Sequence, residues 1–381
     1  MRIVADADLY KVTDLFADLG ELELVPGRQI TNNHLVNADA LIVRSVTPVS
    51  RDLLRKTPIQ FVGTATSGID HVDAEYLAEH NIKLADAKGS NANAVVDYCF
   101  AAMAELGLLD SCELKSKTIG IVGCGAVGSL FAKKLSALGI SVIVNDPPLQ
   151  ERADADLEVV PFRFCTLEEI SRCDLISLHT PLVKQGTHPT FGLIGLEFLH
   201  SLSKGAVLLN TCRGGVVSEK DIRKFYQERN DLNFVFDVWE NEPSVARDVV
   251  STTKIATPHI AGYSIESKFA AVNSLRRSLA KNFDVPIASR ELIGIDASES
   301  HREFKEGNTL KTVLAQDFPL QKISNDFKCA MNDGQDLNYF DNVRRQLISR
   351  REYRGASMDD STLGEFQKQI LAELEVSKSK N

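Results

Sequence analysis

A glycine-rich stretch between two apolar runs constrains the fold of this chain more than any other feature. Residues 117–146 read KTIGIVGCGAVGSLFAKKLSALGISVIVND, in which Gly123, Gly125 and Gly128 follow a strand-like run and open a helix-like one. Gly123 allows a tight turn, Gly125 lets the backbone approach a pyrophosphate, and Gly128 allows the helix to pack closely on the strand. The N–H groups and the positive dipole end of such a helix favour phosphate. The pattern therefore predicts a βαβ unit that binds a dinucleotide.

An acidic residue follows the next strand-like run. Asp146 ends SVIVND and stands 18 residues after Gly128, where a carboxylate can bind the ribose hydroxyls of a dinucleotide. The same negative charge would repel a ribose 2′-phosphate, so the pattern favours NAD over NADP as cofactor. The cofactor contacts predicted here come from Asp146 and from the glycine loop, which comprises Gly123, Gly125, Ala126, Val127 and Gly128.

Short apolar runs alternate with helix-like stretches over about the first 260 residues, which is typical of an α/β fold with a parallel sheet. The run at 94–109 is apolar on most faces and predicts a long buried helix. Helix-like spacing also covers 264–283, 340–353 and 361–375. Strand candidates lie at 2–6, 40–45, 61–66, 82–87, 118–123, 141–146, 175–180, 206–211, 233–238 and 254–259.

Length, charge and cysteine usage exclude several classes of protein. A chain of 381 residues is too long for one core and predicts two or three domains. Its net charge of -9 argues against nucleic acid as a partner. No apolar run approaches the roughly 18 residues of a membrane span, and seven scattered cysteines without a CxxC pair favour neither a zinc site nor a disulfide framework. We expect a reduced, cytoplasmic protein that binds neither metal nor membrane.

An arginine stands at the end of one predicted strand. Residues 205–217 read GAVLLNTCRGGVV, so that Arg213 follows an apolar run and precedes two glycines. In parallel sheets, ligands bind beyond the carboxyl ends of the strands, and a guanidinium matches a carboxylate in a bidentate pair. Arg213 is therefore a candidate for binding a substrate carboxylate, with an interdomain ion pair as the alternative.

Two further strand ends carry acid–base candidates. FDVWENEP (236–243) contains Glu242, and TPHIAGY (257–263) contains His259. A histidine beyond a strand end could accept a hydroxyl proton while hydride leaves the same carbon. Glu242 could hold the other ring nitrogen, fix the tautomer and make the imidazole more basic. Together with Arg213, this pair predicts the oxidation of a hydroxyl group on a substrate that carries a carboxylate.

The order of these motifs resembles that of the D-isomer-specific 2-hydroxyacid dehydrogenases. The glycine loop with Asp146, CDLISLHTPL (173–182), GAVLLNTCRGGVV, FDVWENEP and TPHIAG follow one another as in that family, over about residues 40 to 285. The resemblance implies that Arg213 holds the substrate carboxylate and that His259 and Glu242 perform the acid–base step. It also implies further NAD contacts from Thr180, Cys212, Asp237 and Gly262.

Other stretches are similar to one subgroup of that family, which acts on a phosphorylated four-carbon hydroxy acid. The resemblance implies NAD-dependent oxidation of 4-phospho-D-erythronate at its 2-hydroxyl group, in a route to pyridoxal 5′-phosphate, with a 2-oxo acid as a possible final electron acceptor. The stretches are RSVTPV (44–49), VGTATSGIDHVD (62–73), NANAVVDY (91–98), KQGTHPT (184–190), HIAGYSIES (259–267) and FDNVRRQLISRREY (340–353).

The residues at the ends of two earlier strands are candidates for binding such a substrate. Arg44 and Ser45 could face the phosphate, although Arg44 could equally be a surface charge. The small residues Thr66, Ser67 and Gly68 form a turn whose N–H groups can receive a carboxylate oxygen. Tyr263 could close on the substrate, with simple packing as the alternative.

The resemblance also implies three domains and a homodimer. A flavodoxin-like substrate-binding domain would comprise 1–98 and 262–285, a Rossmann-type NAD-binding domain 99–261, and a C-terminal α+β dimerisation domain 286–381. Alternatives are a dehydrogenase of the same family acting on 3-phosphoglycerate or hydroxypyruvate, and a non-enzymatic NAD-sensing binding protein. The roles of Arg350, Arg351 and Arg354 stay open among folding, dimer contacts and a neighbour's substrate pocket.

Overall fold

A computed structural model of the chain describes residues 1–155, 160–287, 302–305, 307–334 and 336–379. The chain divides into two compact units. The first unit comprises Met1–Asn91 and the described part of Ser264–Ser300, and the second comprises Ala92–Tyr263 and the described part of His301–Asn381. The predicted C-terminal domain would begin at 286, and residues 288–301 of that segment lie outside the described residues.

The first unit is built on a five-stranded parallel sheet with the order β2-β1-β3-β4-β5. This order is that of flavodoxin-like folds, and it confirms the predicted fold of the unit. The four predicted strands are confirmed, whereas β2 was missed because its sequence, ELELV, alternates with glutamates. The strands are β1 (Arg2–Asp6), β2 (Glu21–Val25), β3 (Ala40–Val43), β4 (Phe61–Thr64) and β5 (Lys83–Asp86), and the α-helices are Val12–Phe16, Arg51–Leu54, Ala74–Glu79 and Ile265–Asn282.

The helix Ile265–Asn282 returns to the first unit from the far end of the sequence. Its N-terminus is capped by Ser264, whose hydroxyl accepts a hydrogen bond from the backbone N–H of Ser267. Its buried face packs Leu275 and Leu279 into the core formed by β1, β3 and β4. This packing joins the helix to the sheet of the first unit.

The second unit contains a seven-stranded parallel sheet with the order β12-β11-β10-β9-β6-β7-β8. Strand order reverses between β6 and β9, which is the topological switch point where open α/β sheets bind ligands. The predicted Rossmann-type fold is confirmed. The strands are β6 (Thr118–Val122), β7 (Ser141–Asn145), β8 (Arg163–Phe164), β9 (Leu175–Leu178), β10 (Val207–Asn210), β11 (Asn233–Phe236) and β12 (Ile255–Ala256).

Helices cover this sheet. The predicted long buried helix is confirmed as Ala92–Glu105, which is apolar on most faces because it lies between layers of the core. The other α-helices of this part are Ala126–Ala137, Pro147–Asp154, Leu167–Ile170, Leu196–Ser201, Glu219–Glu228 and Arg247–Thr252.

The C-terminal segment forms a small α+β layer on the second unit. Its three parallel strands have the order β13-β14-β15, and its apolar side chains share one core with the large sheet. The helix predicted over 340–353 ends at Gln346, and the chain from Arg350 to Tyr353 is not helical. The elements are β13 (Arg302–Phe304), β14 (Ala356–Met358), β15 (Ser377–Lys378) and the α-helices Leu310–Leu314, Leu320–Asn332, Asp336–Gln346 and Glu365–Glu373.

Three general features of the described residues complete the fold. None of the helices in the described ranges combines the length and the apolar character needed to cross a membrane. Within those ranges, no three or more His, Cys, Asp or Glu side chains are grouped so that they could hold a metal ion. All seven cysteines are free thiols.

Candidate active site

The predicted catalytic and cofactor residues of the second unit follow the carboxyl ends of its strands. All neighbouring strands in this sheet are parallel, so these ends lie at one edge. β6 and β9, which flank the switch point, are followed by the glycine loop and by Thr180 respectively. Asp146 follows β7, Arg213 follows β10, Asp237 follows β11 and His259 follows β12.

The glycine loop leaves space where a dinucleotide needs it. A Cβ atom on Gly125 would meet no atom within 4 Å, and Gly125 and Ala126 are exposed. A Cβ atom on Gly128 would instead lie 2.0 Å from the carbonyl oxygen of Gly123, so only glycine lets the helix Ala126–Ala137 pack this closely. The open cradle at Gly125, at the N-terminus of that helix, fits a pyrophosphate.

Asp146 is held beside this loop by two backbone groups. Its Oδ2 atom accepts a hydrogen bond of 2.7 Å from the N–H of Cys124, and its Oδ1 atom accepts one of 2.9 Å from Leu149. The second bond caps the helix Pro147–Asp154. The carboxylate is therefore fixed next to the glycine loop, as the binding of ribose hydroxyls requires.

Thr180 and Cys212 continue the same edge. A Cβ atom on Gly123 would lie 2.9 Å from Cγ2 of Thr180, and the Thr180 hydroxyl lies 3.9 Å from the Cys212 sulfur. The Cys212 thiol is buried and its backbone N–H donates to Oδ1 of Asn210. Burial raises the pKa of that thiol, so the side chain is unsuited to act as a thiolate.

The turn carrying Arg213 packs directly against the turn carrying Glu242. Arg213 is half-buried, and its Nη1 atom donates a 2.7 Å hydrogen bond to the carbonyl of Cys212. A Cβ atom on Gly214 would lie 1.8 Å from the carbonyl oxygen of Trp239. The backbone N–H of Trp239 in turn donates to Oε1 of Glu242 at 2.9 Å. This close approach of backbones fixes the arginine turn relative to the glutamate.

His259 and Glu242 form a hydrogen-bonded pair. Nδ1 of His259 lies 2.7 Å from Oε2 of Glu242, whose side chain is 21% exposed against 37% for the imidazole. An ionised carboxylate can only accept, so Nδ1 carries the proton of this bond and Nε2 is left as the acceptor. This is the tautomer that a general base requires.

The backbone after His259 is held by Asp237. His259 has a φ of 55°, in the left-handed region, and its N–H donates to the carbonyl of Asp237. The N–H groups of Ile260 and Ala261 donate to the two carboxylate oxygens of Asp237, each at 2.8 Å. Burial raises the pKa of Asp237 to about 6. In this structure Asp237 orders the loop that leads to Gly262 and Tyr263.

The predicted substrate residues other than Tyr263 belong to the first unit. Arg44 follows β3 and makes short ion pairs of 2.6 Å with Asp6 and with Asp8. Ser45 beside it is exposed. The Arg44 charge is therefore offset by two carboxylates, which the sequence did not indicate.

The turn after β4 is organised by its own hydroxyl groups. Thr66 donates from Oγ1 to the carbonyl of Gly68 at 2.7 Å. Ser67 donates to the side-chain oxygen of Asn91 at 2.8 Å. Because β3 and β4 are neighbours, this turn and Arg44 follow adjacent strand ends.

Lys268 is a basic residue near this region that the sequence motifs did not indicate. It lies in the first turn of the helix Ile265–Asn282. Burial, and then the charge of Arg44, lower the pKa of Lys268 to about 8. Lys268 directly follows the motif HIAGYSIES (259–267), and this position was the signal that could have indicated it.

Comparisons with known proteins place the chain in a family. Residues 102–261 match the family model described as "D-isomer specific 2-hydroxyacid dehydrogenase, NAD binding domain". The erythronate-4-phosphate dehydrogenase of Shewanella halifaxensis is 38% identical over 359 residues, which cover 93% of each chain. The enzyme of that name from Shewanella violacea is 43% identical over 302 residues, or 79% of this chain and 74% of the relative.

The chain belongs to the erythronate-4-phosphate dehydrogenase family. This membership of the D-isomer-specific 2-hydroxyacid dehydrogenases confirms the predicted family, the predicted enzyme class and NAD as the cofactor. Among solved structures, the NAD⁺-bound 3-phosphoglycerate dehydrogenase of Entamoeba histolytica has a TM-score of 0.62 and 25% identity, covering 74% of this chain and 95% of that one. The D-lactate dehydrogenase of Aquifex aeolicus, at 21% identity and a TM-score of 0.56, shares the fold.

Proposed function

We propose that the protein oxidises 4-phospho-D-erythronate to 2-oxo-3-hydroxy-4-phosphobutanoate with NAD, as a step towards pyridoxal 5′-phosphate. The observation that carries this proposal is the His259–Glu242 pair, hydrogen bonded at 2.7 Å at the sheet edge where Arg213 also lies. The substrate is suggested by the name of the relatives, which align with 93% of the chain in one case.

The chemistry assigned to the chain is a proton transfer coupled to hydride loss. Arg213 binds the substrate carboxylate and polarises the carbonyl that develops at C2. Nε2 of His259 accepts the proton of the 2-hydroxyl group, while Glu242 holds Nδ1–H and stabilises the imidazolium that forms. The C2–H bond breaks with its electron pair leaving as hydride, and the C2=O bond forms.

The residues that would hold NAD lie along one edge of the large sheet. NAD supplies the hydride acceptor when it is bound. The glycine loop would receive the pyrophosphate, and the fixed carboxylate of Asp146 would bind the ribose hydroxyls. Thr180, the Cys212 backbone and the loop of Asp237 and Gly262 would contact the rest of the cofactor.

The phosphate and the remaining substrate groups are assigned to the first unit and to Tyr263. Arg44 and Ser45 would bind the phosphate, and Lys268 would add a positive charge that compensates for the carboxylates of Asp6 and Asp8. The turn of Thr66, Ser67 and Gly68 would receive the carboxylate, and Tyr263 would close on the substrate.

The cellular setting is part of the same proposal. The free thiols of all seven cysteines favour a reducing compartment, and we assign the protein to the cytoplasm. The C-terminal segment after 286 would form the contact of a homodimer. A 2-oxo acid would serve as the final electron acceptor where the cofactor stays bound between turnovers.

The test is reduction of NAD by the purified protein with 4-phosphoerythronate, 3-phosphoglycerate and glycerate as alternative substrates. A 2-oxo acid is added in a parallel series, so that a tightly held cofactor can be recycled in place. The proposal expects a clear preference for 4-phosphoerythronate in kcat/KM. A preference for 3-phosphoglycerate would contradict the proposed substrate and favour the alternative of a 3-phosphoglycerate dehydrogenase. Binding of NAD without any turnover would favour a non-enzymatic NAD-sensing protein.

A further inference from the structure

One arginine of the C-terminal segment reaches the loop that carries His259. Arg350 is 4% exposed, and its Nη1 atom donates to the carbonyls of Ile260, Ala261 and Tyr263 at 3.3, 3.0 and 2.8 Å. Its Nη2 atom donates to the carbonyl of Ala94 at 3.0 Å. All of these residues belong to the second unit. The guanidinium thus binds the backbone immediately after the proposed general base.

Two oppositely charged side chains hold this loop, one through its backbone N–H groups and the other through its backbone carbonyl groups. Asp237 accepts the N–H groups of Ile260 and Ala261, whereas Arg350 donates to the carbonyl groups of those same residues. Both charged side chains are buried. The two residues after His259 therefore have their backbone N–H groups held by Asp237 and their carbonyl groups held by Arg350.

Arg350 itself is fixed in place by its surroundings. Its guanidinium carbon lies 3.9 Å from the ring centroid of Phe318, which is a stacking contact for a planar cation. Asp97 offsets the buried positive charge and accepts a 2.8 Å hydrogen bond from the backbone N–H of Tyr353. The segment from Arg350 to Tyr353 is thereby anchored to the helix Ala92–Glu105.

The residue type suits this task. A planar guanidinium presents donors in a fixed fork and can serve several carbonyls at once. A lysine ammonium has three donors on a flexible stem, and its shorter reach cannot satisfy all four carbonyls with the same geometry. His259 needs such support because its φ of 55° lies in a region that non-glycine residues seldom adopt.

We infer that Arg350 is a positioning residue, which holds the His259 loop in its catalytic geometry from the C-terminal segment. The inference rests on the proposed function in so far as His259 is the general base. It gives the C-terminal segment a role at the active site of its own chain, which differs from the folding, dimer-contact and neighbouring-pocket roles that the sequence left open for this arginine.

The test compares Arg350→Lys with a matched control, Tyr353→Phe. The control removes only the buried hydroxyl that donates to the carbonyl of Leu314 at 3.2 Å, three residues along the same segment. Because small misplacements of a catalytic group can cost as much as 100-fold, we expect kcat of Arg350→Lys to fall about 10- to 100-fold. The KM for 4-phosphoerythronate should stay within about threefold, since the loss is confined to the transition state.

Two readouts separate positioning from a general loss of structure. With substrate deuterated at C2, the isotope effect on kcat should rise in Arg350→Lys, because hydride transfer becomes slower relative to product release. Hydrogen exchange of the amides of residues 260 and 261 should also become faster in that variant. Tyr353→Phe should leave kcat, isotope effect and exchange unchanged.

The result that would overturn the inference is an unchanged kcat and unchanged amide exchange in Arg350→Lys. A fall in kcat that merely matches a smaller fraction of active molecules, with the wild-type isotope effect, would overturn it equally. Should the lysine variant not fold, Phe318→Leu keeps the arginine and removes its stacking partner, and the same changes are expected to a smaller extent. If the proposed function is wrong, the wild-type protein will not oxidise 4-phosphoerythronate. In that case the amide exchange, which needs no substrate, still tests whether Arg350 holds the loop.

Discussion

Nδ1 of His259 and Oε2 of Glu242 are 2.7 Å apart, although 17 residues separate them in the chain. The other carboxylate oxygen, Oε1, is occupied by the backbone N–H of Trp239. The glutamate is therefore held from its own turn while it orients the imidazole. Its charge and its geometry both favour an imidazole whose Nε2 can take a proton.

Replacing Glu242 by Gln should lower kcat by about 100- to 10,000-fold. The amide can present its N–H₂ group to Nδ1, which stabilises the tautomer with the proton on Nε2 and removes the base. Steady-state rates with NAD and 4-phosphoerythronate measure the effect. The matched control is Glu240→Gln in the same turn, whose carboxylate accepts a hydrogen bond from the backbone N–H of Glu219. Equal losses in the two variants would contradict the role of Glu242.

Replacing His259 by Ala should abolish turnover while NAD binding persists. The side chain supplies the proton acceptor, whereas the proposed cofactor contacts come from the glycine loop and Asp146. NAD affinity is measured by quenching of the fluorescence of Trp239, the single tryptophan, and the rate by NADH formation. A variant that retained turnover within about tenfold of the wild type would exclude His259 as the general base.

Much of this arrangement was predictable because parallel strands end at one edge of a sheet. Arg213, Asp146 and the glycine loop each follow an apolar run, so their shared edge follows from the α/β pattern alone. The order of β10, β11 and β12 then places Glu242 and His259 beyond neighbouring strands.

The remaining contacts depend on chain folding over long sequence distances. Arg350 binds the carbonyl of Ile260 across 90 residues, and no periodicity in the sequence connects the two positions. The three short strands of the C-terminal segment were missed for a related reason, since ASM and REF carry too few residues to show an alternating pattern. Arg44 follows β3, whereas its two partners, Asp6 and Asp8, lie at and just after the end of β1. Only the pairing of β1 with β3 in the sheet brings them together.

Two glycines of the site should respond oppositely to alanine. Gly214→Ala would place a Cβ atom 1.8 Å from a backbone oxygen, so we expect a loss of about 3 kcal/mol or more in unfolding free energy. Gly125→Ala meets no atom within 4 Å, so its stability should change by less than about 0.5 kcal/mol. Its methyl group would occupy the space proposed for the pyrophosphate and weaken NAD binding by about tenfold or more.

Urea unfolding and NAD titration measure both effects in the two variants. Each glycine serves as the control for the other, because one change tests packing of turns and the other tests the cofactor cradle. A stable Gly214→Ala protein would contradict the close approach of the arginine and glutamate turns. Unchanged NAD affinity in Gly125→Ala would show that the pyrophosphate does not bind at this loop.

Asp146→Ala should relax the choice between NAD and NADP. The lost carboxylate would no longer repel a 2′-phosphate, and we expect the ratio of kcat/KM values to shift towards NADP by about 10- to 100-fold. The variant should also lose about 1 kcal/mol of stability, since the cap on Leu149 disappears. Asp146→Asn retains a capping oxygen and is the control for that loss. An unaltered cofactor ratio in both variants would contradict the role of the charge.

The stability of the wild-type protein should fall as pH rises through neutrality, in part because of Glu219. Burial raises the pKa of Glu219 to about 7, and the carboxylate of Glu240 adds to this. The two residues exchange hydrogen bonds, each backbone N–H donating to the carboxylate of the other. A carboxyl group with a raised folded-state pKa stabilises the fold below its unfolded pKa, and the contribution is lost as pH rises through the folded value.

Glu219→Gln removes this titration and keeps an oxygen that can accept the N–H of Glu240. Relative to the wild type, the variant should therefore gain about 3 kcal/mol in unfolding free energy between about pH 4.5 and about pH 8. Urea unfolding across that range measures the difference. Asp221→Asn, in the same first turn of the helix Glu219–Glu228, controls for a general change in charge. A difference that stayed constant with pH would show that the pKa of Glu219 is the same in the folded and the unfolded protein. The hydrogen bonds with Glu240 would then not keep the buried carboxyl group protonated.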